Sequence, residues 1–176
     1  MLWVKTFFGI LFQTILLGIF LYLPALTLNW PDAFLLLTIH FLMTILASAY
    51  LLIVKPESIE ARMNYDSKTQ PKEDRLATAL MFSAIFVGLS LAPIDIFHLN
   101  LSSSFEGSIK NIGLAIYIIG MLLFMASLNA NEFAETTVNI QEERGQKVID
   151  TGIYSMVRHP MSVSYTHLRA HETPAN

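Results

Sequence analysis

The sequence predicts an all-α, multispanning membrane protein with four transmembrane helices and a short cytoplasmic hairpin after the fourth. Three observations carry that expectation. Of 176 residues, 53% are hydrophobic and only 14% charged, and the mean hydropathy is +0.51, too apolar for an ordinary soluble domain. The apolar residues fall into four long runs, and about 20 residues rising about 1.5 Å each cross a hydrocarbon core of about 30 Å. Lys and Arg gather in the connection after the second run, whereas residues 29–32 and 98–108 contain neither.

Composition also excludes. With no Cys, disulfides, thiol nucleophiles and Cys-ligated zinc or iron–sulfur sites are ruled out. The net charge is −3, and no basic tract interleaved with aromatics suggests a nucleic-acid partner. No metal site is expected.

The first span, residues 6–28, has no Asp, Glu, Lys or Arg. Pro24 is expected to kink or end it, because proline lacks an N–H and crowds the preceding turn. A secretory signal peptide competes, since Lys5 supplies a basic flank, but the run is too long and another span follows at once. Asn29, Trp30, Pro31 and Asp32 form a short connection into the second span, residues 33–54, which must run antiparallel to the first. His40 lies inside it. An ionisable residue at that depth is a functional candidate, but a neutral imidazole hydrogen-bonded to a neighbouring helix is the commoner case.

Residues 55–75, KPESIEARMNYDSKTQPKEDR, hold Lys55, Arg62, Lys68, Lys72 and Arg75. The positive-inside bias places this connection in the cytoplasm, and with it the N-terminus and the C-terminal segment. Pro56, then Glu57, Ser58 and Glu60, read as the first turn of a short interfacial helix; a solvated loop that only sets topology is the alternative. The third span, residues 76–97, is uncharged until Asp95. Asp95 and His98 are three apart and would share a helix face, as an interfacial cap or hydrogen-bonded pair rather than a metal site. Residues 100–107 are a polar outer loop, and residues 109–128 are the fourth span, with Lys110 snorkelling from its end.

Residues 1–130 thus form a transmembrane region, and 131–162 begin a cytoplasmic segment. Apolar and polar residues alternate from Thr136 to Ile140, Glu142 to Gly145 reads as a turn, and Gln146 to Asp150 can return as a second short strand. Ile153 to Arg158 can form a short helix ending near His159, because the residue before Pro160 is biased away from helical geometry. The run TGIYSMVRHP is the densest collection of chemistry in the chain: a glycine, a phenol, a guanidinium, an imidazole and a proline within ten residues. On spacing alone it is either a cofactor-gathering segment or a juxtamembrane loop with a basic end.

Val148-Ile149, Gly152-Ile153-Tyr154 and Arg158-His159-Pro160 occur in that order, and in this the segment from Gln146 to Pro160 resembles the cofactor-binding signature of the isoprenylcysteine carboxyl methyltransferase family and its phospholipid N-methyltransferase relatives. The resemblance extends upstream to Pro56-Glu57, Glu60-Ala61-Arg62 and Asn131-Glu132-Phe133, and departs at Gln146, where many relatives carry His. It implies transfer of a methyl group from S-adenosylmethionine to a membrane lipid or other hydrophobic acceptor, such as a prenylcysteine carboxylate, a phospholipid amine or a small hydrophobic acid. It further implies that Gly152, Tyr154, Arg158, His159 and Pro160 line the cofactor pocket. In that pocket Arg158 would pair with the cofactor carboxylate, His159 would hydrogen-bond the cofactor and Gly152 would allow close backbone approach; no catalytic residue is singled out. A non-catalytic membrane subunit or assembly factor sharing the fold is the alternative.

Residues 163–173, VSYTHLRAHET, are what one reading frame of a common transposase-type sequencing adapter encodes. Residues 163–176 are therefore expected not to be native, with the natural sequence running only to Met161 or Ser162 before the junction. Tyr165, His167, Arg169 and His171 are set aside on that ground, although His167 and His171 have the i, i+4 spacing of a metal pair. Relatives in the family continue with a further hydrophobic stretch and an acidic, Arg-containing segment that completes the pocket.

Overall fold

The computed structural model describes residues 1–63, 72–101, 108–131 and 151–156. The described residues are all-α, and contacts divide the chain into two units, Met1–Phe105 and Glu106–Asn176. Among the described residues, four helices are long and apolar enough to cross a membrane: Leu2–Ala25, Pro31–Val54, Thr78–Leu99 and Ser108–Ala130. The chain is a multi-pass membrane protein. Its spans are apolar all round, yet Phe12, Leu23, Phe34 and Leu46 are each about two-thirds exposed. A helix with that pattern suits a lipid surround rather than water.

In the first unit, α1 (Leu2–Ala25) is the helix against which the others pack. α2 (Pro31–Val54) runs antiparallel to it, as the contacts between Gln13 and His40 and between Gly18 and Leu37 require. The short α3 (Pro56–Met63) follows, with proline in its first turn and Glu57 near its positive end; this is the short helix that Pro56 and its acids foretell. It folds back to the start of α1, where the Thr6 hydroxyl lies 3.5 Å from the Met63 sulfur. α4 (Lys72–Ile94) runs parallel to α1, with Phe86 stacked on Phe20 at 4.2 Å between ring centroids.

Proline chemistry fixes how α1 and α4 meet. α1 stops one residue after Pro24, and Leu26 caps it in the left-handed region at φ 53°, its N–H bonding Tyr22 O and Leu23 O. Pro24 has no N–H to offer Phe20 O, four residues back. Ser90 Oγ donates to that carbonyl instead, at 3.4 Å. The Pro24 carbonyl lies too near the helix end for an i+4 donor, and His98 Nε2 sits 2.7 Å from it.

Beyond the buried Pro93, α4 widens into a π-helical turn, Asp95–Leu99, closed by Asn100 N–H to Asp95 O at 2.7 Å. Asp95 and His98 do serve as end-of-helix groups, with separate partners: Asp95 Oδ1 accepts from Leu101 N–H at 2.8 Å, while His98 reaches α1. Trp30 meets Phe97 edge to face at 5.2 Å, which ties the connection between α1 and α2 to the same corner.

The helix limits differ from the sequence expectation mainly at α1, which begins at Leu2 and stops at Ala25 rather than covering residues 6–28. A single lysine at a helix end can snorkel, so Lys5 does not bar the helix, and Pro24 with Leu26 supplies the stop.

The second unit is built on α5 (Ser108–Ala130), with a 3₁₀ turn, Gly152–Ser155, against it. The hairpin expected over residues 136–150 lies outside the described residues.

Candidate functional site

The site grows from the last turn of α5. Ser127 is fully buried and donates to Leu123 O at 2.7 Å, which satisfies its hydroxyl inside the helix as an apolar surround demands. Asn131 N–H then bonds Ser127 O at 3.0 Å. The helical ladder therefore carries one residue past Ala130, and Asn131 is held at a defined place on the helix end. No basic residue occupies the last turn, so the terminal carbonyls leave a partial negative charge there.

Against this end sits the turn of Gly152–Ser155. Thr151 is extended, and Gly152 takes φ +61°, a conformation open to glycine at little cost. A Cβ at Gly152 would lie 3.5 Å from the Ala130 Cβ, so glycine and alanine together let the turn lie close to the helix. Within the turn Tyr154 N–H bonds Thr151 O, Met156 N–H bonds Ile153 O, and Ser155 Oγ donates to Gly152 O at 2.7 Å. The Tyr154 ring is half-buried, and its hydroxyl accepts from Asn131 Nδ2 at 3.4 Å.

Two blocks that stand apart in the sequence, Asn131 and Gly152-Ile153-Tyr154, thus meet. The turn starts at Gly152 rather than Ile153 and is 3₁₀ in its described part, because a short segment opened by a left-handed glycine closes i→i+3 bonds more readily than a full α-turn. Arg158, His159, Pro160, Glu132 and Phe133 lie outside the described residues. The other upstream block, Pro56 to Arg62, forms α3 of the first unit.

Asn131 is the residue that motif reading leaves without a role. A signal for it existed: it is a side-chain amide placed immediately after the fourth apolar run, where a polar group has access both to the helix end and to whatever packs on it.

His40 has the situation expected of a buried histidine in a span. It is 7% exposed, and its Nε2 lies 3.4 Å from Gln13 Nε2 on α1. An amide nitrogen only donates, so the imidazole accepts in this contact. The pair joins two helices within the apolar region.

No protein-family model, curated protein or solved structure matches the chain.

Proposed function

We propose that this chain is an integral-membrane methyltransferase that draws its methyl group from S-adenosylmethionine and delivers it to a lipid-borne or hydrophobic acceptor. The observation that supports this most is the meeting of Asn131 with the Gly152-Ile153-Tyr154 turn at the end of α5, since both belong to the blocks that resemble the methyltransferase family. The donor set there suits the cofactor. It offers a phenol and a carboxamide as neutral hydrogen-bonding groups, a glycine that leaves backbone approachable, and the partially negative end of a helix, which favours a cation such as a sulfonium.

When bound, S-adenosylmethionine supplies an electrophilic methyl carbon for in-line displacement. The protein's task is then positioning and exclusion of water more than acid–base chemistry. Gly152 keeps side-chain bulk away from the cofactor, and Tyr154 holds a polar group on a half-buried ring. By the resemblance, Arg158 would pair with the cofactor carboxylate, for which a guanidinium suits better than the ammonium of lysine. By the same resemblance, His159 would hydrogen-bond the cofactor and Pro160 would line its pocket. The site faces the cytoplasm, together with the N-terminus and the basic residues 55–75.

The test is label transfer. Membranes from cells expressing the intact gene, incubated with methyl-labelled S-adenosylmethionine, should pass label into an organic-extractable product. Arg158→Ala and His159→Ala should each lower that transfer at least about tenfold, the value of roughly one charge-assisted contact. Label incorporation equal to that of membranes lacking the protein contradicts the proposal.

A further inference from the structure

We propose that Asn131 is a positioning residue that commits the Tyr154 hydroxyl to acting as a hydrogen-bond donor toward an acceptor atom of the bound methyl donor; this rests on the methyltransferase reading above. A phenol has one proton to give and lone pairs to accept with, and a carboxamide nitrogen can only donate. With Asn131 Nδ2 donating to the Tyr154 oxygen at 3.4 Å, the acceptor capacity on that side is taken and the phenolic proton must point elsewhere. Among the described residues no acceptor takes that proton.

Both partners are fixed from behind. Asn131 is tied to the helix by its N–H bond to Ser127 O, and Tyr154 by its own N–H bond to Thr151 O. The proximity of Gly152 to Ala130 keeps the turn against the helix. The phenol is therefore presented with its donor direction already chosen, which removes part of the ordering cost of binding. The ligand group it suits is a hydrogen-bond acceptor, such as an oxygen of the amino-acid or ribose part of S-adenosylmethionine.

Asn131→Asp reverses the polarity of the pair while keeping its shape, because a carboxylate accepts the phenolic proton and turns it inward. The experiment is equilibrium dialysis of labelled S-adenosylmethionine against the purified product of the intact gene, with thermal unfolding recorded for each variant. Tyr154→Phe should weaken binding about tenfold, equivalent to about 1.4 kcal/mol. Asn131→Asp should weaken it by a similar factor when Tyr154 is present and by no more than about twofold in the Tyr154→Phe background. Should the aspartate variant unfold, Asn131→Leu serves: it should weaken binding about threefold with Tyr154 and leave the Tyr154→Phe background unchanged. An equal factor in both backgrounds, for whichever variant folds, overturns the role of Asn131 and leaves the methyltransferase reading standing. Absence of saturable binding by the wild-type protein overturns both.

Discussion

Placing a side chain at Gly152 perturbs the site at the point where its backbone is most demanding. With φ at +61°, an L-residue there bears roughly 1–2 kcal/mol of left-handed strain. Sterics add little for alanine, since its Cβ would meet Ala130 Cβ at 3.5 Å, an ordinary contact. Alanine also restricts the unfolded chain, which offsets about 0.4–1 kcal/mol. The net cost of Gly152→Ala is therefore about 0.5–1 kcal/mol, a two- to fivefold rise in local opening. Gly152→Asn should cost less, because asparagine tolerates the left-handed region, and Gly152→Val more, because a β-branched residue does not. Amide hydrogen exchange at Tyr154 and Met156, whose N–H groups close the turn, reads this opening directly. Faster exchange in the order Asn, Ala, Val supports the reasoning; slower exchange in the alanine variant, or an asparagine effect as large as that of valine, refutes it.

Two further predictions concern the first unit. Ser90→Ala should lower stability in detergent unfolding by about 0.6 kcal/mol, a typical interhelical hydrogen bond in a membrane protein; in the Pro24→Ala background the restored N–H can reach Phe20 O, and the serine effect should shrink toward zero. Gln13→Leu should cost about 0.6 kcal/mol and not more than about 1.7, because it removes the donor to His40.

The spans were legible because length and charge suffice for them: an uncharged run of about 20 residues has few alternatives once its backbone must be satisfied internally. Pro24 announced the end of α1 and Pro56 the start of α3 for the same local reason, a missing N–H. What the sequence did not disclose was which group would answer each orphaned carbonyl. Ser90 and His98 lie far along the chain from Phe20 and Pro24, and their roles follow only from α4 lying parallel to α1. The π-helical turn after Pro93 was hidden likewise, since it follows a proline that is buried by tertiary packing. At the site, Gly152 and Tyr154 stood out through a motif, whereas Asn131 acquired meaning only when the turn was seen to fold back onto α5. Propensity speaks of neighbours within a turn or two, and these contacts are tertiary.

The most direct test of the central claim is binding of S-adenosylmethionine to the product of the intact gene, measured for wild type, Arg158→Ala and His159→Ala. Saturable binding by the wild type, lost or weakened at least about tenfold in each variant, is the predicted result. Binding that is absent in the wild type, or equally strong in both variants, contradicts the account.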